Sequence, residues 1–346
     1  MPYRLRNLLN AALAALLLSV PLALLGQEKA APAAPAAKPV PAATSDKAAP
    51  AAKAAPAAAP AKAEPEPEPE VLRPRVPPKS YLWEVTGLTN RVYLFGTVHA
   101  GKDSFYPLPD AVERAFTQSK VLVVEADITD TKAMSDSMIG MTYTPPNRLD
   151  KNLSPQSWAR FRKQLARYGL PEAEIVKLKP FMAASLVVFS EWNAIGYQPQ
   201  FGVDSYLIER AKVAKKRIVE IEGVAEQTRV LNSFTEAELA AMFEATLDAL
   251  ENGKSSAQIE SMVKAWQEGN PDLLLDAANR YSEGSPILVA FEEKLVWDRH
   301  DAMLKKIEDF LNARENYFVA VGSLHLAGPR GLLEQLKARG FAVRQL

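Results

Sequence analysis

The 346-residue chain contains no cysteine and only three histidines, and its 41 basic side chains are matched by 41 acidic ones. Without cysteine there is no thiolate zinc site, iron–sulfur ligation, cysteine nucleophile, disulfide framework or lipoprotein anchor. The absence does not fix the redox compartment, since a large domain needs no disulfide inside or outside the cell. Zero net charge removes the basic excess of a dedicated nucleic-acid binder. A GxSxG nucleophile elbow and an HExxH zinc helix are missing too. The spacing Gly96-Thr97-Val98-His99-Ala100-Gly101-Lys102 resembles a phosphate loop, but Asp103 stands where Mg²⁺ ligation needs Ser or Thr. The following Tyr106-Pro107-Leu108-Pro109 cannot open a helix at that loop, so nucleotide binding is set aside.

Proline is abundant but unevenly placed. Of 26 prolines, 13 fall between Pro32 and Pro78. Residues 27–79 are Ala, Pro and Lys, then the run Glu64-Pro65-Glu66-Pro67-Glu68-Pro69-Glu70, without an aromatic residue. Such a segment buries too little apolar surface to offset chain entropy, and its prolines favour extended geometry; it is expected to be a disordered linker. Residues 1–26 carry Arg4 and Arg6 ahead of an 18-residue apolar run, Leu8–Leu25. That is the layout of an export signal. Leu24 and Gly26 make a poor cleavage site, and the run is nearly long enough to span a bilayer, so a retained membrane anchor through residues 8–25 is the alternative. The expected location is periplasmic, free or held at the inner membrane.

Residues 80–346 form one unit large enough for an extensive core. Tyr81–Val85 and Arg91–Phe95, joined by Thr86-Gly87-Leu88-Thr89-Asn90, predict a hairpin. Asp110–Gln118 predicts a helix, Val121–Val124 a buried strand, and Ser154–Ala214 helices with Pro155 and Pro171 in first turns. Arg217–Glu222 reads as a strand and Thr235–Leu311 as helices. Tyr317–Val321, Gly331–Ala338 and Phe341–Gln345 read as strand, helix and strand. The expected fold is α/β: a mixed central sheet with two similar β-GxxH-α-β halves and a large helical insertion between them. Phe181–Trp192 is apolar on nearly all sides, which reads first as buried core and second as a substrate- or membrane-facing surface.

The two halves are Val92-Tyr93-Leu94-Phe95-Gly96-Thr97-Val98-His99 and Phe318-Val319-Ala320-Val321-Gly322-Ser323-Leu324-His325. Each is an apolar strand, then Gly, a hydroxyl residue, an aliphatic residue and His. Open α/β sheets bind ligands beyond the carboxyl ends of their strands. A lone histidine there is usually structural; two in matching contexts, in a chain with three, point to a site. Glu125 and Asp127 follow the Val121–Val124 strand, and Glu222 ends another, whereas Asp103 and Glu220 read as solvated charges. Two neutral imidazoles and a carboxylate suit a divalent transition metal such as Zn, Mn, Co or Fe.

The segments around His99 and His325, with Leu122-Val123-Val124-Glu125-Ala126-Asp127, resemble the TraB/GumN family. That family is grouped with the Tiki metalloproteases and is more distantly similar to erythromycin esterase and ChaN-type proteins. Phe201-Gly202-Val203-Asp204, Val219-Glu220-Ile221-Glu222 and Leu295-Val296-Trp297-Asp298-Arg299-His300 support the resemblance, which covers residues 80–346. It implies metal-dependent peptide hydrolysis, with His99, His325 and Glu125 as metal ligands and Glu125 alternatively as the general base. Arg299 is expected to stabilise an oxyanion, and Glu222 and Asp204 to support the ligands. His300 stands where the family usually has Asn, which leaves three roles open to it: an extra ligand, a hydrogen-bonding substitute that supports the ligands, or a surface residue. The expected substrate is a peptide or another small extracytoplasmic molecule. The rival reading is an exported protein that sequesters a peptide, haem or polysaccharide fragment without turnover.

Overall fold

A computed structural model describes residues 79–346 of the chain. The predicted leader, and the linker as far as Pro78, lie outside the described residues. Among those described, no helix is long and apolar enough to cross a membrane.

Six strands form one sheet: β1 Leu82–Thr86, β2 Arg91–Thr97, β3 Val121–Val124, β4 Arg217–Glu220, β5 Tyr317–Gly322 and β6 Val343–Gln345. Their spatial order is β4-β3-β5-β2-β1-β6. β1 pairs antiparallel with β2 and with β6, while β2–β5, β5–β3 and β3–β4 are parallel. Only β1 therefore runs against the rest, and the carboxyl ends of the other five share one edge. The expected mixed α/β sheet is what the chain forms. β3 and β5 are buried along their whole length, the environment that unbroken Val, Leu and Ala runs require.

The matching halves lie side by side, because β2 and β5 are neighbours. Their register pairs Gly96 with Val321 and Thr97 with Gly322, so the two GxxH segments are staggered by one residue. The return strands differ. β3 runs beside β5, while β6 crosses to the far edge and pairs with β1. The hairpin strand β1 occupies the place next to β2, which leaves the last strand only the outer position.

The helices are α1 Asp110–Gln118, α2 Thr131–Gly140, α3 Pro155–Arg167, α4 Pro180–Ala194, α5 Val203–Val213, α6 Val224–Leu231 and α7 Glu236–Glu251. They continue with α8 Lys254–Gln267, α9 Pro271–Ser282, α10 Pro286–Leu295, α11 His300–Leu311 and α12 Leu332–Ala338. Local chemistry sets their starts. Ser154 caps α3 by accepting the Ser157 N–H at 3.0 Å, with Pro155 in the first turn. Thr235 and Glu238 form a capping box on α7. Pro171 precedes only a single helical turn, Glu172–Ile175.

The insertion between β3 and β5 is mainly helical but also supplies the edge strand β4. α4 packs against α7 and α8. Met182, Ala183, Leu186 and Val187 on α4 are buried, whereas Phe181, Phe189 and Trp192 face a cavity over the sheet edge. The buried-core reading of this apolar helix holds for one face, and the other face lines the cavity.

Candidate functional site

The site lies beyond the carboxyl ends of β2, β3 and β5. His99 follows β2. Its Nδ1 donates to Asp204 Oδ2 at 2.9 Å, and Thr97 Oγ1 donates to the other oxygen, Oδ1, at 2.6 Å. Asp204 is placed by α5, whose first residue, Val203, bonds through its N–H to the Val98 carbonyl at 2.9 Å. Gly202 permits that approach, since a β-carbon there would stand 2.7 Å from the His99 carbonyl oxygen. With Nδ1–H committed to a carboxylate, His99 exposes the Nε2 lone pair.

His325 sits in the short 3₁₀ turn after β5. A chain of hydrogen bonds sets its tautomer. His300 Nδ1 lies 2.9 Å from the Arg330 carbonyl oxygen, which can only accept, so this nitrogen carries the proton. His300 Nε2 must then accept, and it lies 3.0 Å from His325 Nδ1, which donates. His325 is left with a bare Nε2, 3.7 Å from Glu125 Oε1. Both rings are buried and stay neutral. Burial, with Arg299 nearby, pushes His325 well below the usual imidazole range. Burial likewise brings His300 down to about 4.

Glu125 leaves the end of β3 and is 2 % exposed. Its Oε1 accepts the Gly322 N–H at 2.6 Å; its Oε2 accepts from Gln227 Nε2 at 3.0 Å and Arg299 Nη2 at 2.7 Å. The backbone N–H groups of Glu222 and Gly223 bond to the Glu125 carbonyl, which fixes the loop after β4 against it. Burial raises the Glu125 carboxyl above its ordinary range; Arg299 opposes this and Glu222 adds to it. Arg299 Nε also donates to Glu222 Oε1 at 2.9 Å, so one guanidinium bridges two buried carboxylates. Burial disfavours its charge, but the carboxylates outweigh that and keep it protonated above the usual range.

Gly322 is the floor on which these groups meet. A β-carbon built there would lie 3.2 Å from His99 Nε2, 3.3 Å from Glu125 Oε1 and 3.6 Å from His325 Cδ2. Among the described residues, no group of three or more His, Asp and Glu side chains is arranged to hold a metal ion as it stands. The two imidazoles offer free nitrogens, while both Glu125 oxygens already accept N–H groups.

The structure thus gathers His99, His325, Glu125, Arg299, Asp204, Glu222 and His300. His300, open in the sequence between ligand, hydrogen-bonding substitute and surface residue, is buried and bonded to His325. Asp127 is not brought in; it accepts from the Thr129 N–H at 2.9 Å and shapes its own loop. Asp103 and Glu220 are exposed. Thr97 bonds across to Asp204. The loop after His99 is tied to its neighbours: Gly101 is bridged to Gln198, and Lys102 lies over the Tyr197 ring at 4.1 Å. Gln227 also belongs to the site, although no motif surrounds it and its one signal in the sequence is its place five residues after Glu222.

The sequence profile of the TraB/PrgY/gumN family matches residues 81–345. The chain belongs to that family. Curated relatives include the uncharacterized protein YbaP of Escherichia coli strain K12, 22% identical over 265 residues, covering 74% of this chain and 93% of YbaP. Another is a metalloprotease TIKI homolog from Amphimedon queenslandica, 23% identical over 317 residues, which are 77% of this chain and 61% of that protein. A TIKI homolog from Nematostella vectensis is 22% identical over 76% of this chain and 66% of its own length. No solved structure matches. This chain is thus similar both to a protein described as uncharacterized and to metalloprotease TIKI homologs.

Proposed function

We propose that this chain is a metal-dependent hydrolase of peptide bonds, acting outside the cytoplasm. The observation that carries the reading is the convergence over Gly322 of two imidazole rings, each with a bare Nε2 and its Nδ1 already bonded, and one buried carboxylate. Similarity to metalloproteases supports it, and the Arg4–Leu25 segment supports export.

The donor set fits a divalent transition metal. His99 and His325 would hold it through Nε2, backed by Asp204 and His300 in the manner of metal-bound histidines. When bound, such an ion acidifies water and polarises a carbonyl. Glu125 is the general base. Its buried carboxyl has a raised proton affinity, and Gly322, Gln227 and Arg299 hold it in one orientation. Water oxygen bonds to the carbonyl carbon and gives its proton to Glu125. The C–N bond breaks, and Glu125 returns that proton to the departing amine. Arg299 places a fixed positive charge beside the carbonyl oxygen as negative charge develops there.

Metal analysis of the purified protein tests the proposal, together with peptide turnover under added Mn²⁺, Co²⁺ or Zn²⁺. The His99→Ala, His325→Ala double variant is expected to lose both. Full metal affinity in that variant sinks the assignment. The apolar cavity above the site favours a second reading, a sequestering protein; tight binding without turnover under every metal would select it.

A further inference from the structure

Above the catalytic floor is a cavity of about 310 Å³. Its walls are apolar: Phe181, Phe189 and Trp192 from α4, Ile259 and Met262 from α8, with Val230 and Leu231 from α6. The aromatic wall is braced. Trp192 Nε1 donates to Ser255 Oγ at 3.1 Å, Phe189 meets Trp192 edge-on with centroids 5.1 Å apart, and Phe181 stacks on Phe291 at 5.9 Å. The charged side chains lining the cavity, Glu125 and Arg299, are paired with each other at the floor. A charged substrate side chain would find no partner there.

Besides the two free imidazole nitrogens, one buried side-chain oxygen of a lining residue has no partner. Gln227 is 5 % exposed, and its Nε2 donates to Glu125 Oε2 at 3.0 Å and Glu222 Oε2 at 3.3 Å. Two carboxylates fix the amide that way round, because a flipped amide would set oxygen against oxygen. Gln227 Oε1 is left buried with no partner. A buried acceptor beside a cavity selects for a ligand that brings an N–H.

Resting on the peptidase reading, we propose that the cavity is a subsite for a large apolar side chain of the substrate peptide, and that Gln227 Oε1 accepts the backbone N–H of the residue carrying it. The substrate class is then peptides with Phe, Leu or Met next to the reacting bond. A depsipeptide with oxygen in place of that N–H is rejected, because it sets an oxygen against Gln227 Oε1.

The test uses short blocked peptides, acetyl-Ala-Xaa-Ala-amide, with binding read as quenching of the emission that a Trp192→Phe variant lacks. Phe and Leu at Xaa are expected to bind at least about tenfold tighter than Ala, Asp or Lys. Replacing Phe by phenyllactate, which exchanges N–H for oxygen, should weaken binding by about tenfold or more. Gln227→Met, of similar length, should abolish that N–H preference while keeping the side-chain preference. Val230→Trp should fill the cavity, weakening the Phe peptide while sparing the Ala peptide. Equal binding of all side chains overturns the subsite, and an undiminished N–H preference in Gln227→Met overturns the acceptor role. Selective binding without cleavage under any metal supports the subsite and removes the hydrolase reading. Cleavage indifferent to Xaa overturns the subsite and leaves hydrolysis standing.

Discussion

Gly322→Ala is a minimal substitution aimed at the point where the site converges. The backbone does not require glycine: φ is −50° and ψ is 135°, values any residue adopts. The Gly322 N–H that holds Glu125 is retained in alanine. The added methyl would stand 3.2 Å from His99 Nε2 and 3.3 Å from Glu125 Oε1, tighter than ordinary van der Waals contact. Overpacking of this kind costs about 1–3 kcal/mol, and the lower entropy of the unfolded chain returns about 0.4–1 kcal/mol. The net loss is about 1–2 kcal/mol, a fall in Tm of roughly 2–8 °C for a domain of this size. The chemical effect is far larger, because the methyl fills the space bordered by His99 Nε2, Glu125 Oε1 and the His325 ring. Peptide turnover and metal content are expected to fall by about 100-fold or more, a catalytic loss of some 3 kcal/mol. Thermal unfolding followed by circular dichroism, metal analysis and turnover on one preparation separate the two effects. A Gly169→Ala control, at φ +64° with open space around it, should lose about 1 kcal/mol of stability and no activity. A folded Gly322→Ala protein with wild-type turnover and metal content would falsify the placement of the reaction over Gly322.

Three further outcomes follow from the same geometry. His300→Ala removes the acceptor that fixes the His325 tautomer, and metal affinity measured by competition with a chelator is expected to drop about 10–100-fold; unchanged affinity would show that His325 orients itself. Arg299→Met leaves Glu125 and Glu222 buried without their cation and should cost about 3–5 kcal/mol in urea unfolding, with partial recovery on adding Glu222→Gln; a loss below about 1 kcal/mol would contradict the bridging role. Glu238 is lowered to about 2 by the Thr235 backbone N–H, Lys294 and the Thr235 hydroxyl. Its depressed folded pKa means that its stabilisation is present above the ordinary carboxylate pKa and is lost as pH falls toward 2. Urea midpoints measured from pH 6 to pH 2 should therefore fall less steeply in Glu238→Gln, which keeps the capping box, than in the parent; parallel curves would refute this.

What the chain shows locally and what it shows only when folded divide along physical lines. Val121–Val124 and Asp110–Gln118 are legible because burial and helical periodicity act over a few neighbouring residues. The predicted Arg217–Glu222 strand ends early, at Glu220, because the next residues turn to bond to the carbonyls of Val124 and Glu125, contacts invisible in the segment itself. The kinship of the two GxxH segments is visible in sequence, but their stagger is not, since it depends on pairing between strands more than 200 positions apart. His99 and His325 could be found because scarcity and repetition mark them. Asp204 could not be given a partner, because an acid in the first turn of a helix is common for reasons of charge alone. Its contacts to Thr97 and His99 exist only because Gly202 lets α5 begin against the exit of β2. Gln227 is the extreme case: an ordinary residue of an amphipathic helix until Glu125 and Glu222 claim its amide nitrogen and leave its oxygen buried without a partner. Histidines and acids announce themselves by residue type, whereas a neutral amide acquires meaning only from the charges around it.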